Sequence, residues 1–405
     1  MSPAIHAYTS ITTNYLPKAR VLGQSIQKHH PDVKFHLVLS DDLPEGFDLA
    51  NEPFESVILA ESLPIEDPDK FFFVHSVVEL CTAVKGMALE HIFEQHNADI
   101  VFYFDPDMAI FSPLDRLVNE LQDNSILLTP HQTEPEQTDQ AIVDNELCSL
   151  RYGVFNLGFV GVKNDADGRR FSGWWRDRLL KYCQDNIPRG LFTDQKWVNL
   201  APCYFDNLKV LRAPVYNVAT WNLTHRHATG SSIEDVHING EPLCFYHFSG
   251  FDSGGQEYML NKYGKHSPIL FDLREWYIQE CDKNGQETLG KVPCKYGFYA
   301  DGTKIANHER VIYRDQLELH ERFANPFSSD ENSFQKWLAE GAAEQVVPAD
   351  KVAISPTAGV RDVVQSMANY FYTVSYTERA NSCVKRFLLR NFARALRITG
   401  NVVFK

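Results

Sequence analysis

Long apolar runs are missing from this chain: none reaches 18 residues in 405, so no transmembrane helix is expected. The opening residues, MSPAIHAYTS, show neither a basic n-region nor an apolar h-region, so no secretory signal is expected and a cytoplasmic location is. Cysteine occurs eight times but never as CxxC. Surroundings such as PLCFYHF mark the cysteines as small buried hydrophobes, not as a disulfide framework or a zinc site. Positive charge is scarce: 39 Lys and Arg against 53 Asp and Glu give a net charge of -14. That leaves no broad basic surface for nucleic acid. Internal repeats and low-complexity tracts are absent too.

What is present is an ordinary globular composition, 44% hydrophobic and 12% aromatic. A domain of ~250 residues with an accessory region fits the length. AIHAYTS, KFHLVLSDD, DIVFYFDPDMAIF, SILLTPH, YGVFNLGFVGVK and PLCFYHFSGFD read as strands. Helical patterns stand between them, in LPKARVLGQSIQKH, VVELCTAVKGMALEHIFEQH and FSGWWRDRLLKYCQD; FFFVHS looks strand-like. Such alternation predicts an α/β domain with a largely parallel sheet, whose ligands lie beyond the carboxyl ends of the strands. Thr9, Asp105, Asp107 and His247 fall at such ends. Past residue 270 the pattern turns mixed, with turn signals and few helical stretches.

The tripeptide Asp-Pro-Asp occurs twice, at residues 67–69 and 105–107. A divalent metal needs oxygen ligands that converge. Before Asp105 runs FYF, a strand able to lie buried on both faces and to deliver Asp105 to a rigid edge. Pro106 stiffens the turn, and Asp107 can then face the same space. The earlier copy, in PIEDPDKFF, sits among charges with no buried strand before it, and reads as a solvated turn. His247, ending the apolar run FYH, is open to two readings: a satisfied core histidine, or a third ligand beside two carboxylates, a set suited to Mn²⁺. Gly250 would allow close backbone approach to a phosphate, and Lys85 could supply a point charge there.

Taken in order, AYTSITTNYLPKARVLGQSIQKHHPD, ELCTAVKGMAL, VFYFDPDMAIFSPL, FNLGFVGVK, LFTDQKWVNL and CFYHFSG resemble retaining GT-A glycosyltransferases, particularly glycosyltransferase family 8 and bacterial lipopolysaccharide and polysaccharide transferases. The resemblance covers residues 4–250. It implies a Rossmann-like GT-A domain over residues 1–268, with Asp105 and Asp107 as the DxD and His247 as third ligand of Mn²⁺ or Mg²⁺. It places Tyr8, Thr9 and Asn14 at the nucleotide base and ribose, and Lys85 near the donor sugar and phosphate. Asn156, Asp194 and Gln195 come to the anomeric centre. The donor would be a nucleotide-diphosphate sugar, with a UDP-sugar expected, and the acceptor a glycan or lipid-linked glycan. Thr and Ser stand after the first strand where the family often has acids, and the lysine that commonly follows HxxG is missing from HFSGFDSGG.

Two other functions compete. A sugar nucleotidyltransferase needs a glycine-rich loop after the first strand, and AYTSITTNYLP has no glycine. A non-catalytic carbohydrate-binding protein would need no intact ligand set. HQTEPEQTDQ and THRHATGSS are candidate acceptor loops. Residues 269–380 form the accessory region. At 381–405, Arg386, Arg390, Arg394 and Arg397 line one helical face and Val384, Leu388, Phe392, Ala395 and Leu396 the other. This predicts an amphipathic helix that touches an anionic membrane surface or docks on the protein itself.

Overall fold

Strand β1 (Ile5–Ile11) leads into helix α1 (Leu16–His29), which is followed by β2 (Lys34–Leu39) and β3 (Ser56–Leu59). Helices α2 (Pro68–Val74), α3 (Val77–Ala83) and α4 (Lys85–Gln95) precede β4 (Ile100–Phe104) and the short β5 (Met108–Ile110). Next come α5 (Asp115–Asp123), β6 (Ile126–Pro130), β7 (Phe155–Lys163), α6 (Ala166–Tyr182), β8 (Leu208–Val210), β9 (Phe245–His247) and α7 (Ile269–Lys283). The structure is a computed structural model that describes residues 3–340.

Seven strands form one sheet in the order β8-β6-β7-β4-β1-β2-β3. All neighbours are parallel except β7, which runs antiparallel to both β4 and β6. The expected α/β class with a mainly parallel sheet is the observed one. Every residue of β4 is buried, as a central strand covered on both faces requires. Its alternation assigns the layers. Phe102 and Phe104 belong to the cluster with α1, whereas Val101 and Tyr103 belong to the cluster with α3, α4 and α6.

Several local expectations change. The FFFV part of FFFVHS is helical, and His75 and Ser76 link α2 to α3: Pro68 occupies the first turn of α2, where its missing N–H costs nothing. Its aromatic run reflects burial. Phe73 packs edge-on against Tyr313 and Phe327, and Arg310 donates to the carbonyls of Phe73 and His75. The predicted long helix over 77–96 divides at Val84 into α3 and α4. Helix Asn307–Asp315 lies where few helices are expected. Cys183, Cys244, Cys281 and Cys294 are buried free thiols as anticipated, but Cys148 and Cys203 are exposed.

The described residues up to Lys336 form one compact unit. The boundary expected between residues 268 and 269 falls inside it, just before α7, which packs on α1. The basic stretch 381–405, with its expected membrane contact, lies outside the described residues. Among the described residues no helix is long and apolar enough to cross a membrane.

Candidate active site

The carboxyl ends of β1 and β4 open onto a cavity of about 800 Å³, within the size range of small-molecule sites. At its floor the backbone leaves the sheet. The amide of Asp105 donates to Gly158 O at 2.7 Å, fastening the end of β4 to β7. After Pro106 the chain returns as β5, which pairs antiparallel with β9, so that Met108 faces His247. The amide of Phe248 donates to Asp107 O at 2.8 Å. This short second sheet brings His247 to both aspartates across more than 130 residues of sequence.

His247 Nε2 lies 3.0 Å from Asp107 Oδ1 and 4.0 Å from Asp105 Oδ2. One ligand atom from each of the three side chains fits within 4.8 Å of the other two. The two oxygens of Asp105 divide their work. Oδ1 accepts from Tyr103 Oη at 2.6 Å and from Lys85 Nζ at 3.3 Å, which leaves Oδ2 turned toward His247. Burial disfavours charge on both His247 and Asp107, but each sustains the other: the imidazole is held above its ordinary range and the carboxyl below. Two carboxylates and one imidazole are the donor set for a borderline-hard divalent cation such as Mn²⁺ or Mg²⁺, and the residues present fit one.

On the adjoining wall Lys85, buried at the start of α4, bonds Asp194 Oδ2 at 3.1 Å and Leu157 O at 3.3 Å. Its ammonium stands 4.1 Å from the centre of the Tyr103 ring. Burial would lower its pKa, but Asp105 and Asp194 outweigh it and raise the pKa instead. Asp194 is 2% exposed; burial raises its pKa despite Lys85. Gln195 begins a short helix, Gln195–Val198. Its Oε1 accepts from Leu157 N and from Asn156 Nδ2, each at 3.3 Å. Asn156 Oδ1 in turn accepts from Gly158 N at 3.1 Å and Asn217 Nδ2 at 2.9 Å. Lys85, Asn156, Asp194 and Gln195 thus form one connected network bordering the ligand set.

The segment expected at the nucleotide is placed differently. Tyr8 and Thr9 are fully buried, and Tyr8 donates to Lys85 O at 2.9 Å beneath the cavity. Asn14 accepts from Thr12 Oγ1 at 2.6 Å and stays outside the lining. Ser10, Ile11, Thr12 and Tyr15 from the same stretch form the wall. Gly250 lies just behind Ser249 of the lining and takes φ +72°, a conformation that favours glycine. Sequence reading did not single out Tyr103, His131, Asn217 or Trp221. Tyr103 alone carried a signal, two positions before Asp105 on the same face of β4. His131, held down to about 4 by burial, lies 3.2 Å from Asn156 Nδ2, and the Trp221 ring stands 5.2 Å edge-on from that of His247. The other Asp-Pro-Asp is remote in environment: Asp67 and Asp69 are exposed at the start of α2, and Asp67 pairs with Lys70 at 3.0 Å.

No family model matches the chain. Over 252 residues it is 29% identical to the uncharacterized protein YfnD of Bacillus subtilis (strain 168), covering 61% of this chain and 78% of YfnD. Among solved structures, the galactosyltransferase LgtC in complex with donor and acceptor sugar analogues overlaps 64% of this chain and 95% of its own, at 16% identity and a TM-score of 0.39. The glycosyltransferase GlyE of Streptococcus pneumoniae TIGR4 overlaps 74% of this chain and 67% of its own, at 15% identity and a TM-score of 0.39. Overlaps this partial say nothing of substrate or reaction, which rest on the chain's own geometry.

Proposed function

We propose that the protein is a metal-dependent glycosyltransferase of the GT-A class. It moves a sugar from a nucleotide-diphosphate sugar, a UDP-sugar by resemblance, to a hydroxyl of a glycan or lipid-linked glycan, and keeps the anomeric configuration. One observation carries this reading. Asp105, Asp107 and His247 converge at the carboxyl edge of the sheet, on the floor of a cavity whose adjoining wall is the Lys85–Asp194–Gln195–Asn156 network.

Those three side chains would hold the divalent cation, which when bound neutralises the donor's diphosphate. Lys85 adds a fixed positive charge behind them. Asp194, buried and paired to it, orients the ammonium. In transfer, the bond from the anomeric carbon to the phosphate oxygen breaks and its electron pair leaves with the diphosphate. The acceptor oxygen bonds to the same carbon from the same face, and its proton passes to the departing phosphate oxygen. The sugar is electron-poor midway. Gln195 Oε1, pinned by Leu157 N and Asn156 Nδ2, presents a carbonyl dipole already oriented for that charge. Ser10, Thr12 and Tyr15 supply the polar and aromatic edge for the nucleotide.

The test is nucleotide release from UDP-, GDP- and CMP-sugars with and without Mn²⁺, and proton NMR of the first product. Metal-dependent release from one nucleotide class, lost in Asp107→Ala, is expected. Tight nucleotide-sugar binding with no turnover on any acceptor would replace the enzyme by a binding protein. An inverted anomeric coupling would remove retention while leaving the GT-A reading in place.

A further inference from the structure

A second cluster of potential ligands lies toward the opposite edge of the sheet. His6 is the second residue of β1, His36 the third of β2, and His96 caps the C-terminus of α4. Parallel pairing of Tyr8 with His36 puts His6 and His36 on one face of the sheet. Tyr8 belongs to the core cluster that α4 covers, which brings His96 to the same place. A ring nitrogen from each of the three imidazoles fits within 4.8 Å of the others. His6 Nδ1 and His36 Nε2 stand 2.8 Å apart, and the rings of His36 and His96 are 4.4 Å centre to centre. His6 and His36 are buried, while His96 is half-buried and leaves a way in.

We propose that His6, His36 and His96 bind one borderline transition-metal dication, with Zn²⁺ as the representative, at a site separate from the cavity. Three features support it. The imidazoles are neutral at physiological pH, because burial first and the neighbouring imidazoles and Lys34 next hold His6 down to about 4 and His36 to about 3. Metal binding therefore releases no net proton; the one shared between His6 Nδ1 and His36 Nε2 moves to an outer ring nitrogen, which frees both lone pairs. A chain of imidazoles shares only one proton per contact, so a third ring brings a lone pair that hydrogen bonding within the cluster leaves unused. Finally, the outer nitrogen of His36, Nδ1, lies 2.7 Å from Ser56 Oγ, the kind of partner that fixes ring orientation in histidine metal sites. Zn–N bonds of about 2.0–2.1 Å put tetrahedral ligand nitrogens about 3.3 Å apart. The 2.8 Å contact therefore opens by about half an ångström, within reach of side-chain rotation. Glu55 and Asp99 act electrostatically on His6 and partly balance the added charge.

The experiment uses the full chain carrying Asp107→Ala, which disables the cavity's ligand set. The protein is stripped with chelator and titrated with Co²⁺, then Zn²⁺. The expected result is one equivalent of Co²⁺ with tetrahedral d–d absorption, displaced by Zn²⁺, and a Zn²⁺-dependent rise in Tm. Adding His96→Gln, a half-exposed change compatible with folding, should weaken binding tenfold or more and abolish the Tm shift. Adding Ser56→Ala, which keeps all three rings, should weaken binding by about tenfold. A Co²⁺ spectrum missing from the Asp107→Ala protein, or unchanged affinity in both added variants, would reduce the cluster to a hydrogen-bonded imidazole chain and overturn the proposal.

Discussion

Lys85→Met isolates the electrostatic centre of the site. Lys85 Nζ bonds Asp194 at 3.1 Å, Asp105 at 3.3 Å and Leu157 O at 3.3 Å, and is 5% exposed as a residue. Methionine nearly preserves the volume and removes the charge. Asp105 then keeps the Tyr103 hydroxyl and some solvent, but Asp194 keeps only the 3.3 Å Thr193 hydroxyl contact among its side-chain partners. Breaking a buried pair by deleting one partner costs about 3–5 kcal/mol. Lys85→Met should therefore lose stability of that order at pH 7 in urea titration, with an unchanged m-value. Adding Asp194→Asn removes the stranded charge and should recover at least half of the loss, a coupling readable from the double-mutant cycle.

The pH dependence of the same variant has a definite sign. Burial already holds the Asp194 pKa above its ordinary range with Lys85 present, and removing Lys85 raises it further. Below the unfolded-state value both states are protonated, and the group costs nothing. As pH rises above it the unfolded chain releases its proton while the folded chain retains it, so stability falls. The gap between wild type and Lys85→Met should therefore widen from pH 4 to pH 7. A gap under about 1 kcal/mol at pH 7, or one independent of pH, would refute the account of Asp194 as a stranded buried carboxylate.

The two Asp-Pro-Asp copies should respond oppositely: Asp105→Ala or Asp107→Ala should abolish metal-dependent turnover. Asp67→Ala and Asp69→Ala, on the exposed start of α2, should change it less than about twofold, as Mn²⁺ titration of turnover would show. Gly158→Ala would put a methyl 2.6 Å from Met108 Cε, 2.7 Å from Asn156 Oδ1 and 2.8 Å from His247 Cε1. It should cost about 1–3 kcal/mol in denaturant titration yet lower turnover by more than that loss predicts, because His247 and Asn156 must move. His75, buried with Nδ1 donating to Phe71 O at 2.7 Å, is held down to about 4 by burial. The unfolded chain protonates it first on acidification, so stability should fall between pH 6.5 and about 4 by up to about 3 kcal/mol. His75→Gln, which retains a donor but does not titrate, should lose that part of the acid sensitivity in the same titration.

What could be read from the sequence is what repeats or what interrupts a repeat. The buried run Ile100–Phe104 is legible because a strand covered on both faces must be apolar throughout, and Asp105-Pro106-Asp107 stands out because it ends that run. Phe71–Phe73 misleads by the same logic: three consecutive aromatics fit a strand, but here they belong to a helix covered from several sides, a fact held in residues 296–334 and not in the run itself. Tyr103 is marked only by its place two positions before Asp105, and His131 leaves no local mark, since each matters only through Asp105 or Asn156. Tyr8 shows the limit from the other direction. It sits near the end of β1, where ligands are expected, yet β1 pairs with β4 so that Tyr8 lies opposite Tyr103 and its hydroxyl is spent on Lys85 O. Register therefore decides which residues near a strand end face the cavity. A shift of one position exchanges wall for core, and register follows from strand pairings tens of residues apart.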